Sequence, residues 1–290
     1  MKSRPLLSRG VTLIELMVAL AISSILIAAL YRTFISQQKT HTTQEQVVDI
    51  QQSARASINR MMKELRGAGF GNVGMVLPVS FSASGRLRKF DHIVNPDTPV
   101  SGALTIVTAN RVAAKLLKGA GDEVGGRKLL LNQFVVSRLN DDEGDPLFDT
   151  KNRKYISIGG VESHTISEVD PGDRVITLEK RIVHRHPAGT PVFSIRALSY
   201  QIAKDKETLA LKRDENMGGG RQPLAENIEE LQFEYFDQDG EPTLVPEDIR
   251  MIRLAVTARG GRPDPDLREG DGFRRRRIAS YVHLRNLGLP

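Results

Sequence analysis

His184 and His186, separated by one residue, have the spacing that lets two imidazoles share one face of a strand and reach a common metal ion. A zinc site needs at least three protein ligands. No third ligand is evident, and the chain has no Cys, so two solvent-facing strand histidines are the expectation. Asp237-Gln238-Asp239-Gly240 starts like a calcium-binding EF loop. Such a loop needs Gly sixth and Glu twelfth, whereas Gly240 stands fourth and Asp248 twelfth, so a turn is expected. The acidic run at 141–145 reads as a solvated loop. Gly121 and Gly126 have the glycine spacing of a phosphate-binding loop. Arg127 and Lys128 stand where Lys and then Ser or Thr are required, which leaves a flexible turn. No Ser/His/Asp or paired-carboxylate arrangement stands out. Without Cys there is no thiol nucleophile and no disulfide scaffold. The residues therefore predict no catalytic group, no metal and no cofactor.

Glu15 is different, because its surroundings and not its neighbours in type make it costly. It is the only charge within VTLIELMVALAISSILIAALY, Val11 to Tyr31. As a helix this stretch rises ~31 Å, which matches the hydrocarbon thickness of a bilayer. Lys2, Arg4 and Arg9 precede it with no acidic residue among them. That flank keeps residues 1–10 cytoplasmic and sends the remainder outward. A carboxylate inside a membrane span costs several kcal/mol unless it finds a partner. Glu15 lies one turn inside, so a partner charge from another chain is the expectation. The apolar run continues into a polar helical pattern with no small-residue cleavage site, unlike a secretory signal.

Arg9-Gly10-Val11-Thr12-Leu13-Ile14-Glu15-Leu16 resembles the class III leader junction of type IV pilins and pseudopilins. The resemblance implies that a prepilin peptidase cuts Gly10–Val11 and methylates the new amine at Val11. It also implies that Glu15, the fifth mature residue, serves assembly. The family usually has Phe where this chain has Val11. Pairing of Glu15 with a neighbouring chain's N-terminal amine would remove two uncompensated charges from apolar surroundings. If the leader is removed, 38 basic residues face 35 acidic ones, so the mature charge gives little support to a nucleic-acid partner, and none is expected. The basic run Arg274 to Arg277 reads as a solvated strand end.

Around that junction the pattern specifies the supporting elements. No Gly or Pro occurs from Val11 to Arg66, which allows ~84 Å of unbroken helix. Val47, Ile50, Ala54, Ile58, Met61 and Leu65 recur at spacings of three and four and form one apolar stripe. The stripe is expected to pack on the chain's own C-terminal domain. The breakers Gly67-Ala68-Gly69-Phe70-Gly71 should end the helix. Beyond them, strand-like runs are found at 104–109, 134–139, 155–158, 174–178, 192–203, 231–236, 249–258 and 278–284. A short helical turn is expected at 223–229, and a mobile loop at 259–277.

The expected fold class is α+β: a pilin-like long helix, half transmembrane and half amphipathic, packed on an antiparallel β-sheet domain. The expected divisions are leader 1–10, transmembrane half 11–31, amphipathic half 32–66 and a β-rich periplasmic domain 67–290. The segments from Gln44 to Phe70 and from Pro223 to the final Leu284-Arg285-Asn286-Leu287 resemble the PilW type of minor pilin. That resemblance implies a structural subunit, not an enzyme, that helps initiate a pilus near its tip. Its implied partners are prepilin peptidase, other minor pilins, the major pilin and inner-membrane lipid. It would reside in the inner membrane with its C-terminal domain in the periplasm, then in a filament on the cell surface. The alternative is a minor pseudopilin, J-like, of a type II secretion system.

Overall fold

The computed structural model describes residues 12–73, 79–83, 86–96, 102–111, 113–121, 123–124, 127–128, 132–205, 208–217, 219–264, 267 and 270–287. The Gly10–Val11 bond and Gly126 lie outside the described residues. One helix, α1, runs from Leu13 to Leu65 over 53 residues. It stops where the glycine cluster predicts. Arg66 is the C-cap, and Gly69 and Gly71 take φ values of 73° and 81°. At Gly71 a Cβ would also lie 2.6 Å from the Cβ of Ala109, so the position needs glycine for both conformation and space. This turn lays the chain against the next strand: the Gly69 N–H donates to the Val107 carbonyl, and Phe70 accepts from the Ala109 N–H, both at 3.0 Å.

Among the described residues, every strand pairing that follows is antiparallel. β1 (Val79–Ala83) and β2 (Arg86–Phe90) form a hairpin, as do β6 (Glu123–Val124) and β7 (Arg127–Lys128). The large sheet is organised on β12 (Pro191–Asp205). The C-terminal part of β12 has β13 (Thr208–Asp214) on one side, with β14 (Arg221–Glu226) beyond it. On its other side lies β4 (Ala103–Ala109), which carries β3 (Val94–Pro96). The N-terminal part of β12 pairs with β5 (Ala114–Lys115) and β9 (Tyr155–Ile158). From β9 the sheet continues through β10 (Glu162–Asp170), β11 (Val175–Leu178) and β8 (Gln133–Val135). A separate three-stranded sheet has the order β15 (Ile228–Phe236), β16 (Met251–Arg259), β17 (Arg275–His283).

The predicted stripe is the seam between helix and sheets. Ile50, Ala54, Ile58, Met61 and Leu65 are buried, and Val47 is half-buried. The five buried residues share one core with Phe233, Leu254 and Val256 of the three-stranded sheet and with Ile106, Leu198 and Tyr200 of the large one. A polar clamp closes the seam at its end. The partly buried Glu64 carboxylate accepts from Arg60 Nε at 2.9 Å, Arg213 Nε at 3.0 Å and the Tyr200 hydroxyl. A second core, with Phe134, Ile156, Ile158, Ile176 and Val192, lies under β8–β11 and contains no helix residue.

One expectation is corrected here. Residues 223–229 form no helical turn. They belong to β14 and the start of β15, joined by Asn227 at φ 56°. Pro223 is tolerated because β14 is an edge strand, where a missing N–H costs no ladder bond. The described part of 259–277 carries several contacts of its own. Asp264 is buried and pairs with Arg274, its N–H donates to the Gly272 carbonyl at 2.7 Å, and Arg259 sits 4.3 Å over the Phe273 ring.

Candidate functional site

The candidate site is the entry to α1 and the apolar surface behind it. Thr12 is the N-cap, in extended conformation, with φ −78° and ψ 153°. Its hydroxyl accepts from the Glu15 N–H at 3.3 Å, and its own N–H donates to Glu15 Oε2 at 2.9 Å. The two residues thus satisfy two of the donors that a helix start leaves unpaired. The Thr12 hydroxyl also lies 3.0 Å from Glu15 Oε2. Thr12 is a capping residue of this entry that reading for charge alone misses. Its signal is the T-x-x-E spacing of a capping box. The carboxylate is held at the end of the helix facing the chain start, with one oxygen engaged. Among the described residues Glu15 Oε1 has no hydrogen-bond partner.

Behind this cap the first half of the helix buries none of its described residues. Every residue from Thr12 to Thr42 is exposed, including Leu16, Leu20, Ile25, Ile27 and Leu30. The apolar surface runs past Tyr31, since Phe34 is 61% exposed and Ile35 37%. This helix is long and apolar enough to cross a membrane, with a window of mean hydropathy 2.5. Two of its hydroxyls bond back to the helix itself: Ser24 donates to the Leu20 carbonyl at 2.7 Å and Thr33 to that of Ala29 at 3.0 Å. Such bonds suit surroundings without water, where a polar group needs a partner within the helix.

The residues discounted for metal or catalysis form ordinary structural contacts. Asp141 Oδ1 accepts from the N–H groups of Glu143 and Asp145 at 3.0 and 2.8 Å. Asp237 Oδ1 does the same for Asp239 and Glu241, both at 2.9 Å, with Gly240 at φ 85°. Both carboxylates are occupied by their own turns. The basic run begins β17: Arg274 pairs with Asp264, Arg275 with Glu229 and Asp271, and Arg277 with Gln232.

The histidine expectation is corrected, because neither residue lies in a strand and only one faces solvent. His184 is exposed, but His186 is buried at 3% exposure, with Nε2 2.6 Å from Glu162 Oε1. His164 Nε2 stands 2.9 Å from Glu162 Oε2, and the Val183 and His184 N–H groups donate to the same carboxylate at 3.0 and 3.1 Å. Burial pushes the Glu162 carboxyl up, but its hydrogen bonds outweigh that and hold it below the ordinary carboxylate value. The cluster joins β10 to the 183–186 segment. Among the described residues no group of three His, Asp or Glu side chains could hold a metal ion.

Residues 7–31 match the family model described as the prokaryotic N-terminal methylation motif. No curated protein matches the chain. Among solved structures, a type IV-like pilin from Thermus thermophilus aligns at 10% identity and a TM-score of 0.33, over 82% of this chain and 97% of that one. An overlap that weak transfers no detail, so the fold rests on the chain's own geometry. A prepilin-type methylation motif opens a long helix whose second half is packed on an antiparallel β-sheet domain, and that arrangement is pilin-like.

Proposed function

We propose that the protein is a minor pilin of a type IV pilus, a structural subunit and not an enzyme. The observation that carries this reading is the wholly exposed apolar half of α1 behind the methylation motif. In this reading the basic leader orients the chain, and the apolar half holds it in the inner membrane with the β domain in the periplasm. Prepilin peptidase cuts Gly10–Val11 and methylates the amine of Val11. Glu15, already held at the helix entry by Thr12, offers its remaining oxygen to the amine of a neighbouring subunit. Pairing is favourable there because both charges would otherwise stand uncompensated in apolar surroundings. The helices then pack in the filament core, and the β domain meets other minor pilins near the tip. The PilW-like segments on both sides of the central sheet support a minor subunit.

The test is to follow the full-length tagged protein into sheared pili and to count pili in a deletion strain. Sparse incorporation and fewer pili without the protein are expected, and Glu15→Ala should neither enter the pili nor restore their number in the deletion strain. Absence from pili, combined with loss of type II secretion in the deletion strain, would instead establish the pseudopilin alternative.

A further inference from the structure

The last turns of α1, the end of β4 and the β12–β13 pair enclose a cavity of about 270 Å³. Five cationic side chains line it, Arg60, Lys63, Arg111, Arg196 and Arg213, against two carboxylates, Glu64 and Glu215. Those carboxylates are already engaged. Glu64 takes Arg60, Arg213 and the Tyr200 hydroxyl, while Glu215 takes Arg213 Nη1 at 2.7 Å. Among the described residues Lys63, Arg111 and Arg196 enter no ion pair. Arg196 projects from a central strand, is half-buried, and has a buried Nε–H with no acceptor. Burial pushes its guanidinium down while Glu215 pulls it up.

The helix end does not account for this charge. A helix C-terminus carries about half a negative elementary charge, far less than the three surplus cations. Its last carbonyls also have donors of their own: the N–H groups of Arg66, Gly67 and Ala68 reach Met62, Glu64 and Leu65 at 3.0, 2.9 and 3.0 Å. Lipid headgroups do not reach the cavity, because Arg60 stands ~37 Å along the helix beyond Ile35. A single carboxylate would neutralise one cation and meet two like charges already present. A tetrahedral dianion brings two charges and accepts from donors arriving from helix, loop and strand at once.

We infer that this cavity binds a phosphate-class oxyanion, held by Arg196, Arg111 and Lys63, with the Glu64–Arg213–Glu215 chain fixing the frame around it. The inference stands apart from the filament reading. The test is phosphorus NMR line broadening of inorganic phosphate by the full chain in non-ionic detergent, at constant ionic strength. Glycerol 3-phosphate serves as a second probe, and acetate competes. Phosphate should bind at millimolar concentration or below, acetate should displace it at least tenfold less effectively, and K63A/R111A should weaken binding at least tenfold. Broadening by glycerol 3-phosphate as well would point to a phosphomonoester as the source, and its absence to free phosphate. Arg196→Gln should act in the same direction, but it sits in a central strand, so the exposed pair Lys63 and Arg111 decides the matter. No broadening, equal broadening by wild type and K63A/R111A, or equal displacement by acetate would overturn the inference.

Discussion

The two halves of α1 share one backbone and differ in everything around it. From Ile50 to Leu65 one face is buried and the opposite face is charged, with Arg55, Arg60 and Lys63 in solvent. From Leu13 to Tyr31 apolar residues lie all around the axis, with Glu15 the only charge, and every residue is exposed. The first pattern is that of a helix whose partner lies in the same chain. The second is that of a helix whose partner lies outside it, in lipid or in other helices. Local propensity cannot tell the halves apart, because neither contains Gly or Pro and both are helical. The distribution of apolar residues around the axis separates them. A single element can therefore be finished structure at one end and an unfilled interface at the other.

Truncation in the packed half should give the largest effect. Met61 has no exposed surface. Met61→Ala should destabilise the β domain by ~2–5 kcal/mol in urea unfolding of the full chain in detergent, since a cavity adds to the lost transfer energy. Ile22→Ala, on the other half, should leave that transition unmoved. Equal effects would break the distinction.

The clamp at the end of the seam comes next. Glu64→Ala leaves Tyr200 and Arg213 without their shared acceptor, and a loss of ~1–3 kcal/mol is expected. Glu45→Ala, exposed in the middle of the helix, should change the midpoint little.

Acid should distinguish the core that the helix builds from the one it does not touch. The folded Glu162 carboxyl lies below its ordinary value of 4.5. Its stabilisation is therefore complete above pH 4.5 and is lost as pH falls from there through the lower folded value. Hydrogen exchange should show β9–β11 opening at acidic pH before the seam around Ile58 does. Glu162→Gln should remove that difference.

The smallest effect is expected at the helix entry. Thr12→Ala removes the cap, which costs ~0.5–2 kcal/mol locally. Faster exchange of the Glu15 and Leu16 amides should be seen, with no change in domain unfolding.

Much of this was legible before any coordinates. The stripe from Ile50 to Leu65, the stop at Gly67–Gly71 and the strands around 104–109, 155–158 and 231–236 follow from spacing and breakers, because local pattern and tertiary role agree there. β10 was not legible. Glu162, Ser163, His164 and Glu168 give it a polar composition, and besides His164 its inward Glu162 relies on Val183, His184 and His186, which arrive from another part of the chain. β14 was hidden by Pro223, whose cost disappears only at a sheet edge. The cavity of Lys63, Arg111 and Arg196 was invisible for the same reason, since three elements distant in sequence supply it. The expectation for Glu15 comes directly from the sequence, because its cost depends on an apolar run contiguous with it.

The central claim is that α1 begins life as a prepilin helix. Its most direct test is the mass and N-terminal residue of the full chain expressed with and without a prepilin peptidase. The account predicts a start at N-methylated Val11 only when the peptidase is present, and the uncut chain without it. A chain that starts at Met1 in both strains and stays in the membrane fraction would contradict the account and leave the apolar half as a plain anchor.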